Sequence, residues 1–140
     1  MSDITKGQCL CGAVQFEAVV PAKEMAVCHC SMCRKWSGGS FLVVEAESLA
    51  FTQDADLGVY SSSEWGERCF CTKCGSSLVW RAKGGGHFAV SAQSLEGMAD
   101  APLKTQIFID EKPEGYDFAQ QTHNMTGAEV FAQFMGEGEA

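Results

Sequence analysis

Apolar and polar residues alternate from Ala13 to Val20, the pattern of a strand with one face buried, and Pro21 closes it. Short apolar runs recur at Phe41-Leu42-Val43-Val44, Leu49-Ala50-Phe51, Gly58-Val59-Tyr60 and Ser77-Leu78-Val79-Trp80. Turn residues separate them at intervals of about eight positions, the rhythm of a sheet-rich fold. Arg68-Cys69-Phe70-Cys71 reads as a strand end, Gly84-Gly85-Gly86 turns into His87-Phe88-Ala89-Val90, and Thr105-Gln106-Ile107-Phe108-Ile109 supplies a last strand. Two segments break the period of two. Ser31 to Trp36 forms a short helical turn that Gly38-Gly39 stops. Farther on, Thr126-Gly127-Ala128-Glu129 matches a capping box, and Val130, Phe131, Phe134 and Met135 follow at helical spacing on one face. That helix is expected to act as a lid over an open side of the sheet rather than as a dimer contact. The pattern predicts a mainly β fold with a short C-terminal helix, organised as a single domain over residues 1–140.

Composition narrows the class. With 46% hydrophobic and 20% charged residues in 140, the chain has enough apolar surface to bury a core and lacks the signature of disorder. A formal net charge of -8 repels phosphate backbones and anionic lipid, so neither nucleic acid nor membrane is an expected partner. No apolar run approaches the roughly 18 residues of a membrane span. Met1 to Gln15 holds a single lysine, Lys6, with no apolar stretch and no small-residue cleavage site. These features predict a cytoplasmic, reducing location.

Eight cysteines stand against this ordinary background, and each has a near neighbour: Cys9-x-Cys11, Cys28-x-Cys30-x-x-Cys33 and Cys69-x-Cys71-x-x-Cys74. Two thiols one or two residues apart in a tight turn can converge on one tetrahedral Zn²⁺. Gly12 after Cys11 and Gly75 after Cys74 supply residues free to take positive φ where the chain reverses around a metal. One such knuckle gives two ligands, so Cys9 and Cys11 pair with Cys71 and Cys74 into a structural four-cysteine site. Cys28, Cys30 and Cys33 lie within six residues and can hold a second metal by themselves, leaving its fourth position for water or a substrate thiolate. Three protein ligands and an open position are the pattern of catalytic zinc. Cys69 shares a strand face with Cys71 and is expected near the four-cysteine site, or buried as a small apolar residue, more than on the triad.

The order Gly7-x-Cys9-x-Cys11-Gly12-Ala13-Val14, Cys28-His29-Cys30-Ser31-x-Cys33-Arg34-Lys35-x-Ser37-Gly38 and Arg68-x-Phe70-Cys71-x-x-Cys74-Gly75-Ser76-x-Leu78 resembles the glutathione-dependent formaldehyde-activating enzyme family, whose domain also occurs in centromere protein V. The resemblance covers roughly residues 5–110, leaving 111–140 as a C-terminal extension with the helix. It implies a zinc-bearing β-tent of small antiparallel sheets. It implies two zinc ions per chain, one structural on Cys9, Cys11, Cys71 and Cys74 and one catalytic on Cys28, Cys30 and Cys33. It also implies carbon-sulfur lyase chemistry on a thiol adduct, with glutathione and formaldehyde as the family's named pair. This chain departs from the family pattern at Cys69, at Gln106 where many members have His, at Gln93-Ser94-Leu95-Glu96, and at Tyr116 in place of Trp.

Other residues have two readings each. His29, between two ligands, either donates a hydrogen bond behind the metal or points to solvent. His87 and His123 are expected to be structural. Arg34, Lys35 and Arg68 either meet the carboxylates of a glutathione-like substrate or lie solvated on the surface. Trp36, Phe41 and Trp80 are expected in the core rather than in a pocket wall. Seven thiolates with two Zn²⁺ would add a net -3 to the formal -8, giving about -11, which weighs against a zinc-ribbon module that binds nucleic acid. The remaining alternative is a non-catalytic zinc-binding module for protein interaction or metal handling, with Cys69 closing the second site.

Overall fold

In the computed structural model, eleven strands and two helices are defined among the described residues, 4–139, with side chains described through residue 134. In chain order they are β1 (Ile4–Gln8), β2 (Gln15–Val19), β3 (Met25–Cys28), α1 (Ser31–Ser37), β4 (Phe41–Ala46), β5 (Ser48–Gln53), β6 (Leu57–Ser61), β7 (Gly66–Cys71), β8 (Ser77–Ala82), β9 (Phe88–Ser91), β10 (Leu103–Ile107), β11 (His123–Met125) and α2 (Gly127–Glu139). The mainly β architecture of small sheets with a short C-terminal helix is the one that the hydrophobic pattern predicts. The chain divides into two compact units, Met1–Glu24 with Val43–Ala101 and Met25–Leu42 with Pro102–Ala140.

The first unit is antiparallel. β2 pairs with β1 on one side and β5 on the other, and Phe16, 1% exposed, sits opposite Phe51 with the rings edge to face at 5.8 Å. A second ladder runs β4, β9, β8, β7, β6 through hairpin neighbours. Its centre is Val79, which pairs with Val90 and with Cys69; all three are fully buried. β-branched residues on half-buried pleats explain why these segments are strands. A register shift between Cys69 and Phe70 bends β7 against β8 just before the Cys71–Cys74 turn.

The second unit is built on a parallel ladder, β11-β10-β3, a departure from the antiparallel sheets implied by the resemblance. Parallel strands cannot be joined by a tight hairpin and need a long return. Here β3 and β10 are separated by the whole of Val43–Ala101, so β10 re-enters alongside β3 in the same direction. α1 begins at Cys30, whose extended backbone (φ -61°, ψ 153°) is that of an N-cap, and ends at Gly38 (φ 80°), whose amide donates to Arg34 O at 2.9 Å. The capping box of α2 is reciprocal: Thr126 N donates to Glu129 Oε1 at 2.9 Å and Glu129 N to Thr126 Oγ1 at 3.2 Å. Phe131 meets Phe108 edge to face at 5.8 Å. Of the expected apolar face, the side chain of Met135 lies outside the described residues.

Candidate functional site

Two turns of the first unit bring four sulfurs together. Cys9 follows β1 and Cys71 ends β7, and in each case the chain reverses within a few residues. Gly12 and Gly75 both take φ near 80°, a conformation that costs a side-chain-bearing residue strain, so the expected role of these glycines holds. The reversals are closed by Gly12 N to Cys9 O (3.1 Å) and Gly75 N to Cys71 O (2.8 Å). Backbone amides also point at the sulfurs: Val14 N lies 3.3 Å from Cys9 Sγ and Cys74 N 3.4 Å from Cys71 Sγ. All four Sγ atoms fall within 4.8 Å of one another, with Cys9 to Cys11 at 3.7 Å and Cys11 to Cys71 at 3.8 Å. Four sulfurs about 2.3 Å from the centre of a tetrahedron lie about 3.8 Å apart, the spacing that Cys11 already keeps from Cys9 and Cys71.

The protonation of these thiols points the same way. The hydroxyl and amide of Ser76 and the amide of Cys11 pull Cys74 down to about 5. Cys11 is pushed up to about 11: the pull of the Ala13 amide is outweighed by burial and by the neighbouring sulfurs of Cys9, Cys74 and Cys71. For Cys9, burial alone would raise the value, but the Val14 amide and the Cys71 and Cys11 thiols lower it overall. Such a split is what crowded acids do when the first charge blocks the next. A dication at the centre would let all four ionise.

The second cluster belongs to the other unit. Cys28 ends β3, Cys30 caps α1 and Cys33 lies in its first turn, with Cys33 N donating to Cys30 Sγ at 3.3 Å. Their sulfurs also lie within 4.8 Å of one another, and all three residues are buried. Hydrogen bonds with the Cys30 and Cys33 thiols, then burial, raise the Cys28 thiol far above its ordinary value. Among the described residues no fourth His, Cys, Asp or Glu joins this group. Three converging thiols fit a metal with one open coordination position.

Between these ligands stands His29, fully buried and not turned to solvent. Its Nε2 is 2.8 Å from Gln106 Oε1, and its Nδ1 is 3.4 Å from Ser40 Oγ, which in turn is 2.5 Å from Tyr116 OH. Both ring nitrogens are thereby occupied, and His29 belongs to neither group of converging ligands. The rings of Phe118 and Tyr116 pack on it at 6.0 Å and 6.5 Å. Its backbone is held as well, by His29 N to Ile107 O (3.1 Å) and by Arg34 Nε to His29 O (2.9 Å). Glu111 Oε1 accepts from Ser31 N at 3.1 Å, satisfying a first-turn amide of α1. Gln106 and Tyr116, two positions at which this chain departs from the family pattern, are thus part of the setting of His29.

The remaining candidates separate cleanly. Cys69 is fully buried on β7 and outside both clusters, so it is the small apolar residue of the two expected roles; burial raises its thiol. Arg68 is 3% exposed and donates through Nε to Ser62 Oγ at 3.1 Å, which rules out a solvated position because the β-ladder encloses it. Arg34 is half-buried against the His29 carbonyl, whereas Lys35 is exposed. Phe41 is in the core and Trp36 packs on it at 5.2 Å; Trp80 is half-buried beside Gly66. His87 is half-buried beside β9, and His123 is exposed on β11. Spacing alone did not reveal Ser40, Gln106 and Thr122 around His29, because polar residues scattered over more than eighty positions have no period.

Comparison with known proteins agrees with this geometry. Residues 4–111 match the model of a family described as glutathione-dependent formaldehyde-activating enzyme. The chain is 32% identical over 127 residues to an uncharacterized lyase of Schizosaccharomyces pombe, covering 89% of this chain and 93% of that protein. It is 33% identical over 85 residues to a Halomonas elongata protein that bears the family name provisionally, covering 54% of each chain. A crystal structure of a Rhodobacter sphaeroides protein superposes with a TM-score of 0.58 at 25% identity, over 71% of this chain and 99% of the other.

Proposed function

The chain belongs to the glutathione-dependent formaldehyde-activating enzyme family, and on that premise we propose that it is a zinc-dependent carbon-sulfur lyase-type enzyme acting on the adduct of a small thiol with a carbonyl compound. In the forward direction the thiol sulfur forms a bond to the carbonyl carbon and the thiol proton passes to the carbonyl oxygen. The reverse direction breaks that C-S bond and restores both partners. Glutathione and formaldehyde are the pair that the family description suggests.

The observation that carries this reading is the inequality of the two clusters. Cys9, Cys11, Cys71 and Cys74 complete a tetrahedron by themselves, whereas Cys28, Cys30 and Cys33 do not. Cys28, Cys30 and Cys33 would hold zinc with a position open to a substrate thiolate, and zinc bound there would lower the thiol's pKa and hold the thiolate beside its carbonyl partner. The chain's own residues supply the frame: α1 sets Cys30 and Cys33 one turn apart, β3 sets Cys28, and Arg34 ties the carbonyl of the intervening residue. Cys69 is sequestered outside both clusters, which speaks against the non-catalytic module that needs it as a fourth ligand. All eight cysteines are free thiols, consistent with the reducing cytoplasm we assign. No helix among the described residues is long and apolar enough to cross a membrane.

Exchange spectroscopy on formaldehyde and glutathione provides the test, read against the same mixture without protein. Zinc-loaded protein should accelerate adduct formation and breakdown alike, and Cys30→Ser should abolish the effect while the protein remains folded. Acceleration that survives Cys30→Ser would place the chemistry elsewhere.

A further inference from the structure

We propose that Gln106 is the positioning residue that fixes the His29 ring as its Nε2-H tautomer and, through that ring, holds Cys28 and Cys30 where their thiols converge with Cys33. The proposal rests on the reading that these three thiols hold the reactive metal.

The direction of a hydrogen-bonded chain settles the tautomer. Thr122 Oγ1 donates its single proton to Asn124 Oδ1, an oxygen that can only accept, at 2.6 Å. Thr122 must then accept from Gln106, whose Nε2 lies 2.9 Å away. That contact turns the Gln106 amide nitrogen toward Thr122 and its oxygen toward His29, 2.8 Å from Nε2. A carboxamide oxygen has no proton to give, so the ring must donate from Nε2. In a neutral ring Nδ1 is then the acceptor, and the hydroxyl beside it belongs to Ser40, backed by Tyr116. Each donor therefore finds an acceptor along the line from Tyr116 to Asn124.

Burial makes the arrangement exacting. His29 is fully buried and Gln106 is 6% exposed, and no buried side-chain nitrogen or oxygen among the described residues lacks a partner. Reversing the amide would set its NH₂ against the ring N-H and leave two donors facing each other without water to absorb the mismatch. The ring is the only side-chain anchor between two ligands. Cys28 and Cys30 flank it directly, and the loop has no second knuckle to close it, unlike the four-cysteine cluster. With the backbone tied by Ile107 O and Arg34 Nε, the Gln106 contact is the shorter of the two side-chain hydrogen bonds that orient the ring, 2.8 Å against 3.4 Å from Ser40. Groups that orient the elements bearing metal ligands typically alter affinity about 10- to 100-fold when removed.

The test uses the full chain and zinc itself. Nitrogen-15 spectra of zinc-loaded, histidine-labelled wild-type protein should show His29 protonated at Nε2 alone; any other protonation pattern overturns the proposal. Zinc competition with a chelator of known affinity should then resolve two sites. Gln106→Leu should weaken the three-cysteine site about tenfold or more and leave the four-cysteine site unchanged. Gln106→Glu, which keeps an acceptor oxygen on the ring N-H but loses the donor to Thr122, should bind zinc at this site more tightly than Gln106→Leu and more weakly than wild type. Unchanged zinc affinity in folded Gln106→Leu sinks the proposal while leaving the metal site intact. Wild-type protein that takes zinc only at the four-cysteine cluster sinks the metal reading itself, and the proposal with it. The wild-type ring measurement needs no variant, so a Gln106→Leu chain that fails to fold does not remove the test.

Discussion

Gln106 and His29 are 77 positions apart in the chain and 2.8 Å apart in the fold. The contact joins β10 to the residue following β3, two neighbours in a parallel ladder. A side chain from one end of the second unit thus reaches the centre of a ligand loop that, in sequence, looks self-sufficient. Local motif and distant support behave differently under substitution.

Breaking the four-cysteine cluster should unfold the first unit. Cys71→Ser removes the cluster sulfur that ends β7 and accepts from the Cys74 amide. Structural zinc contributes about 10–16 kcal/mol of apparent binding energy, as large as the whole stability of most domains, roughly 5–15 kcal/mol. Circular dichroism of Cys71→Ser, and of wild type with a strong chelator, should show lost strand signal or a melting point lowered by tens of degrees. A chelated protein that melts like the loaded one would refute a structural role for the metal.

Removing Cys69 should leave the metal sites intact. It is fully buried, opposite Val59 of β6 and Val79 of β8 in the register of the ladder. Cys69→Ala should cost about 1 kcal/mol through lost packing, and zinc content by atomic emission should stay at the wild-type value. A drop of one zinc per chain would make Cys69 a ligand.

Stability without metal should depend on pH with two slopes. Cys74 is lowered to about 5 from an ordinary 9, so its contribution is complete above pH 9 and is lost as pH falls through 5. Cys11 is raised to about 11, so its neutral thiol contributes below pH 9, and that contribution is lost as pH rises through 11. Denaturant midpoints of chelated protein, if it retains its fold, should rise from pH 5 towards 9 and fall from 9 to 11. In loaded protein, acid should release the metal first, because protons compete for the same sulfurs.

Loss of the α2 cap should be mild and local. Thr126→Ala removes the hydroxyl that accepts from Glu129 N and should cost about 1 kcal/mol. Hydrogen exchange should quicken at Ala128 to Val130 with no change at β3 or β10. Glu129→Gln, which keeps an acceptor for the Thr126 amide, should have a smaller effect.

What the sequence disclosed and what it hid follow one physical division. Cysteine pairs, Gly12 and Gly75, the α1 turn and the Thr126 cap are local, because a few neighbouring residues determine each of them. The strands at Phe41, Ser77 and Phe88 were legible from alternation and β-branched residues. β1 was not, since Ile-Thr-Lys-Gly-Gln is an edge strand with one buried position, and β11 is three polar or half-exposed residues held by backbone pairing. β3 was not legible either, since four residues that end on Cys28 are too short to show a period. Parallel pairing leaves no trace in a period of two, so the β11-β10-β3 ladder and the partners it sets around His29 had to come from the fold.

The discontinuity of the second unit also sets an order of events during synthesis. Cys28, Cys30 and Cys33 leave the ribosome long before β10 exists, and at roughly 5–20 residues per second the delay is on the order of 4–15 s. Through that interval the nascent loop has its thiols but not Gln106 or the Ile107 carbonyl that hold it in place. The four-cysteine cluster has all its sulfurs once Cys74 emerges, with β8 and β9 of the first unit still to come and the second unit no more than an incomplete strand and a helical turn. The three-cysteine loop is made early and braced late.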